Sequence, residues 1–238
     1  MEQDSNRLMK EAAGKAAVDA MVKSGMKLGL GTGSTAIYAV RRVGELIKHG
    51  ALRDVCAFAT SFQTEIECEK LEIPFYTLNS RQLSGGLDLT IDGADEVDPK
   101  NFVIKGGGGA LLIEKLTAYA SSSFAVIVDE SKLTERLGIG FPVPVEVIPE
   151  ARVQAARALE KLGAAEVILR EALRKAGPVI TEHGNLILDI RFNASVDPEA
   201  METELNKIPG VVENGFFTRN SPVVFIAHSN GIIETRKL

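Results

Sequence analysis

Three stretches of this sequence bring glycine, hydroxyl, carboxylate and lysine together in patterns that suit an anion and a moving proton. In Gly29-Leu30-Gly31-Thr32-Gly33-Ser34-Thr35-Ala36 a short apolar run gives way to a helical pattern. Glycines there let backbone N–H groups approach an anion, and a helix N-terminus adds a favourable dipole. Gly31, Thr32, Gly33, Ser34 and Thr35 therefore suit a phosphate or sugar hydroxyls. Gly31-x-Gly33-x-x-Ala36 also fits a dinucleotide fingerprint, but that fingerprint needs an acid at the end of the next strand, and Thr60-Ser61 stands there. A tight structural turn is the plain alternative.

Asp92-Gly93-Ala94-Asp95-Glu96 follows the alternating run Leu87–Ile91 and crowds carboxylates at a strand's end. Such crowding persists where the groups bind hydroxyls, hold a cation or shift a pKa for proton transfer; otherwise it is an acidic surface turn. The spacing is not that of a calcium loop and no histidine is near, so hydroxyl recognition is expected and no dedicated metal site. Lys105 precedes Gly106, Gly107, Gly108 and Gly109. Four glycines are costly to order, and a passive linker does not belong between a strand and a helix of a compact unit. Backbone donors beside a lysine, arranged for an oxyanion, explain them better. Glu114, five residues past Gly109, becomes a useful general base if an apolar cleft raises its pKa, and a solvated charge if it faces water. Spacing leaves its direction open. Lys10 and Lys132 read singly as surface lysines, and His49, His183 and His228 have no partner at ligand spacing.

The elements that must carry these groups alternate. Apolar pairs four apart, Leu8/Met9, Ala12/Ala13, Ala16/Ala17 and Ala20/Met21, predict a first helix ended by Ser24-Gly25. A strand at Lys27–Leu30, a helix capped by Ser34, a strand at 55–59 and a helix after Ser61 follow. Next come strands near Phe75, at Leu87–Ile91 and at Phe102–Ile104, a helix from about Gly109 and a strand at Phe124–Val128. Alternation of this kind predicts a mostly parallel sheet with helices on both faces, binding ligands at the carboxyl ends of its strands. Beyond the proline-punctuated stretch 141–149 the pattern is strand, helix, strand, strand, helix, strand, the split βαβ order of a small α+β domain. Val223–Ala227 is expected to return to the large sheet. A Rossmann-like domain is thus drawn over 1–140 and 213–238, and a ferredoxin-like one over 141–212.

At 238 residues the chain can bury a substantial core. Its 27 Lys+Arg against 32 Asp+Glu, a formal charge of -5, argue against a nucleic-acid partner. Cys56 and Cys68 lack zinc spacing and read as reduced structural thiols. No apolar run has the length of a membrane span, and the opening residues lack the layout of a signal peptide, so the expected setting is cytoplasmic, away from membrane.

Taken together, Gly31–Thr35, Asp92–Glu96, Lys105–Leu111 with Glu114-Lys115, and Phe141–Pro149 resemble the signature series of A-type ribose-5-phosphate isomerases, in order and spacing. Val179–Thr181, Gly184-Asn185, Ile187–Asp189 and Pro209–Val212 extend the resemblance over nearly the whole chain. It implies a Rossmann-like domain plus a small α+β domain, assembled as a homodimer or homotetramer. It also implies interconversion of ribose 5-phosphate and ribulose 5-phosphate in the pentose phosphate pathway, with a small sugar phosphate as partner and no cofactor or metal. By the same resemblance Glu114 is the catalytic base, Asp92 and Asp95 the acidic pair for ring opening and hydroxyls, and Lys105 the active-site lysine. Lys10, the Gly31–Thr35 turn, Gly106–Gly108 and Lys132 would contact substrate. Rival expectations are a non-catalytic phosphosugar sensor, an amino-sugar phosphate deaminase and a coenzyme A transferase.

Overall fold

The computed structural model describes residues 2–238, and the chain forms two compact units. The first comprises Met1–Ala94, Ile113–Leu133 and Asn220–Leu238. It opens with helix α1 (Glu2–Met21), then alternates β1 (Lys27–Leu30), α2 (Gly33–Lys48), β2 (Cys56–Ala59), α3 (Phe62–Lys70) and β3 (Leu87–Gly93). The sheet is completed by β6 (Ser121–Asp129), β12 (Val223–Ala227) and β13 (Ile233–Arg236). Strand order is β13-β12-β6-β3-β1-β2, parallel throughout except for the antiparallel edge strand β13. Strand periodicity explains why helices cover both faces. Leu28, Leu30, Leu89 and Ile91 point into a core shared with Ala13, Ala17 and Val18 of α1 and Ala39, Val40 and Val43 of α2. Between them Gly29 and Thr90 face the other way, where a Cβ on Gly29 would press on Thr117 of α4 (Leu111–Tyr119), at 2.5 Å from its methyl.

The second unit comprises Asp95–Leu112 and Thr134–Arg219. Its strands β7 (Val143–Val147), β8 (Glu166–Leu169), β9 (Leu186–Arg191) and β10 (Val211–Asn214) form an antiparallel sheet in the order β10-β7-β9-β8, with α5 (Arg152–Lys161) and α6 (Pro198–Leu205) between them in sequence. That is the split βαβ order. Val143, Val145 and Val147 of β7, Leu159 of α5 and Leu205 of α6 lie in its core. A separate three-stranded sheet, β11-β5-β4, joins β4 (Glu96–Val97), β5 (Val103–Ile104) and β11 (Phe216–Phe217).

Several expectations shift. The buried stripe of α1 is rotated by one position: Ala13, Ala17 and Val18 are inside while Leu8, Ala12 and Ala20 are exposed. Gly14 allows the close approach, since a Cβ there would lie 3.0 Å from the α2 backbone. Phe75 makes an isolated bridge to Ala57 rather than a strand, with Pro74 beside it lacking an N–H to extend the ladder. β5 is not a strand of the parallel sheet. Asn101, at φ +61, and the Asp98 carboxylate, which accepts from Lys100 and Phe102 N–H at 2.8 Å each, turn the chain back onto β4 too soon for a crossover. Residues 95–112, 134–140 and 213–219, drawn with the larger domain from sequence, therefore group with the second unit, tied there by the β4-β5-β11 pairings.

Candidate active site

In the first unit the expected residues gather at the carboxyl ends of β1 and β3. β3 runs two residues further than Leu87–Ile91, so Asp92 is within the strand and fully buried. Its Oδ1 accepts from the N–H of Thr32 at 3.2 Å and of Gly93 at 2.7 Å. A Cβ on Gly31 would collide with the Asp92 carboxylate, which is why that position requires glycine. Gly33, at φ +99, donates its N–H to Gln63 Oε1 at 3.2 Å. Thr32, not Ser34, is the N-cap of α2; its hydroxyl is engaged elsewhere, 2.7 Å from Thr60 Oγ1 and donating to Ser61 Oγ at 2.6 Å. Ser34 instead receives Lys10 Nζ at 2.9 Å, so α1 delivers its lysine to the start of α2. Thr35 lies beside Gly93, its Cβ 3.6 Å from where a Cβ on that glycine would be.

Glu114, in the first turn of α4, is buried, with 5% of its surface exposed. The direction that spacing left open is inward. Lys115 is buried too, its Nζ 6.0 Å from the Tyr119 ring centre. Lys132 closes a 3-10 turn, Glu130–Lys132, directly after β6, which Asp129 caps by accepting Ser131 N–H at 3.0 Å. β6 pairs with β3 through Asp92↔Val126 and Gly93↔Ile127, so this turn also belongs to the carboxyl edge of the sheet.

In the second unit Asp95, Lys105 and the glycines form their own cluster. Asp95 donates its N–H to Ile104 O at 2.7 Å and accepts Gly107 N–H on Oδ2 at 2.8 Å. Lys105 is buried, with Nζ 5.8 Å from the Phe217 ring centre, a cation–π distance. Gly106 and Gly109 take φ of +103 and +83, and Gly109 N–H closes the turn onto Gly106 O at 3.0 Å. The crowding of carboxylates expected at 92–96 is thereby resolved. Asp92 and Asp95 each hold a glycine turn, and Glu96 accepts Gly138 N–H at 2.8 Å and Phe141 N–H at 2.7 Å. Burial pushes the Glu96 carboxyl above its usual range, against the pull of those N–H groups.

Two sets of partners escaped the sequence. Thr60, Ser61 and Thr64 join Thr32 in a hydroxyl cluster; the position of Thr60-Ser61 at the end of β2 was the available signal. Arg170, which Asp189 of β9 holds against the carbonyls of the glycine turn, had none. The burial that pushes Cys68 up to about 12 makes it an inert thiol. Among the described residues, no three His, Cys, Asp or Glu side chains group to hold a metal ion, and no helix is long and apolar enough to cross a membrane.

Backbone donors, hydroxyls and a lysine at the carboxyl edge of a parallel sheet match a phosphorylated polyol, and with the split βαβ unit they define an α/β enzyme class that handles phosphosugars. A family model described as ribose 5-phosphate isomerase A (phosphoriboisomerase A) matches residues 56–231. Ribose-5-phosphate isomerase A of Treponema denticola is 54% identical over 233 residues, covering 95% of this chain and 97% of its own. The solved ribose 5-phosphate isomerase A of Methanocaldococcus jannaschii superposes with a TM-score of 0.90 at 43% identity, covering 98% of this chain and 100% of its own. A D-ribose-5-phosphate isomerase solved in complex with phospho-erythronic acid gives a TM-score of 0.91 at 40% identity, over 97% of this chain and 98% of its own. This chain belongs to the ribose 5-phosphate isomerase A family.

Proposed function

We propose that this protein interconverts D-ribose 5-phosphate and D-ribulose 5-phosphate through an enediolate, in the non-oxidative pentose phosphate pathway and in the cytoplasm. The observation that carries the chemistry is the burial of Glu114, a helical carboxylate in the first turn of α4, where a solvated charge would be the ordinary case. Family membership and the relative solved with phospho-erythronic acid support the substrate class.

Aldose–ketose isomerisation moves a proton between adjacent carbons. Glu114 takes the C2 proton of the open-chain aldose, the electron pair shifts onto the C1 oxygen as the enediolate forms, and Glu114 returns the proton to C1. Lys105 and the Gly106–Gly108 turn stabilise the oxyanion, where preorganised donors contribute most. Asp92 assists opening of the furanose ring and proton exchange between the two oxygens; Asp95 fixes hydroxyls. Lys10, Lys132 and the Gly31–Thr35 turn hold the phosphate end. The chemistry is redox-neutral within one molecule and calls for no redox cofactor. Purified protein treated with EDTA is expected to form ribulose 5-phosphate from ribose 5-phosphate. Absence of turnover with phosphosugar binding intact would instead favour a sensor.

A further inference from the structure

Arg170 lies just past β8 in the second unit, and none of the roles above uses it. Its guanidinium is largely buried, with 15% of the side chain exposed, and works in two directions. Nε and Nη2 form a fork on Asp189 of β9, at 2.8 and 2.5 Å. Nη1 donates to Gly106 O at 2.8 Å and to Gly107 O at 3.1 Å. A planar fork against a carboxylate is a rigid, directional pair, which a lysine could not reproduce.

The two carbonyls matter because of what lies across their peptide planes. In a trans peptide the C=O of one residue and the N–H of the next point in opposite directions. Holding Gly106 O therefore sets Gly107 N–H, which is spent on Asp95. Holding Gly107 O sets Gly108 N–H, which donates to no protein group among the described residues. At Gly108 an added Cβ would meet nothing within 4 Å, so the peptide borders open space. Glycine peptides otherwise reorient at little steric cost, and a four-glycine segment left to itself would sample many orientations.

We propose that Arg170, fixed by Asp189, is a positioning residue that clamps the Gly106 and Gly107 carbonyls and so presents the Gly108 N–H as an oxyanion donor. The proposal rests on the reading that this turn stabilises the enediolate. Arg170 touches no reacting atom; it acts through the two peptide planes. A donor held in place strengthens its bond only as charge develops, so its loss should appear in kcat rather than in substrate binding.

Arg170→Gln is expected to lower kcat by roughly 10- to 100-fold, the range expected when a catalytic donor is displaced. KM should stay within about threefold, as expected when the lost interaction belongs to the transition state. Affinity for phospho-erythronic acid, whose carboxylate resembles an enediolate, should fall with kcat/KM, whereas affinity for inorganic phosphate should not. Arg170→Lys should fail to restore kcat, having no fork for Asp189. Amide hydrogen exchange at Gly107–Gly109 should quicken in the resting protein with the rest of the second unit unchanged. That readout stands even if the wild type proves not to be an isomerase, so the two failures are separable. Should Arg170→Gln not fold, Asp189→Asn, which weakens the fork and leaves the cation, carries the same expectations in milder form. A folded variant with wild-type kcat, or one whose turn amides exchange as in the wild type, would overturn the proposal.

Discussion

Asp92 grips the Gly31–Thr32 turn with one carboxylate oxygen, and the turn leaves no room for a Cβ opposite it. Gly31→Ala must therefore displace either the carboxylate or the turn. Steady-state kinetics should show kcat/KM down by about 10²-fold, the cost typical of ångström-scale misplacement; wild-type kinetics would contradict this account of the pair. Lys10, reaching Ser34 across from α1, is expected to act on the phosphate end, so Lys10→Ala should raise KM more than it lowers kcat. An unchanged KM would remove it from the site. The glycines, Asp92 and Lys105 were legible because those residue types are expensive at those places without a use. Glu114 was legible as a candidate only, since spacing along one helix cannot say which face is buried. Arg170 was invisible: its value lies in two carbonyls more than sixty residues away in sequence.

The β12–β13 hairpin carries a pH-sensitive fastening. His228 Nδ1 lies 2.8 Å from Glu130 Oε2 and its Nε2 lies 3.0 Å from Glu234 Oε2, an arrangement that favours the imidazolium. The Glu130 carboxylate, then Glu234, holds the His228 pKa above its ordinary 6.5. The stabilisation is therefore complete below 6.5 and is lost as pH rises through the elevated value. Glu130 is drawn down to about 2 by the Ser229 hydroxyl and His228, so its share is present above the ordinary 4.5 and lost as pH falls towards 2. NMR titration should give His228 a midpoint above 6.5, and a midpoint at or below that value would refute the clamp. Element types were largely readable, because the helices bury one stripe each and the central strands are short apolar runs buried on both faces. Partners were less so. β5 has the composition of a buried strand in any sheet, and only the Asp98-to-Phe102 turn assigns it to β4. Thr32 displaced Ser34 as the cap because the chain turns helical two residues earlier than the hydroxyl suggested.

Along the whole chain, each unit is discontinuous in sequence; the crossings at 94/95 and 112/113 fall inside the acidic and the glycine–glutamate motifs, and those at 133/134 and 219/220 lie outside the proline-punctuated stretch 141–149. That is why composition misplaced the boundaries while the order of elements foretold both architectures. The family resemblance implies a homodimer or homotetramer. Sedimentation equilibrium should then return two or four times the 25.6 kDa chain mass, and a monomer at micromolar concentration would contradict it. Proton transfer by Glu114 is the chemical core of the proposed isomerisation. Its most direct test is Glu114→Gln, assayed for conversion of ribose 5-phosphate in deuterated water, with calorimetry to show that sugar phosphate still binds. Turnover should fall by at least about 10²-fold, the contribution of a positioned base, and the label that wild-type protein places at C1 should vanish with it. Near-normal turnover by a folded Glu114→Gln protein would contradict the account.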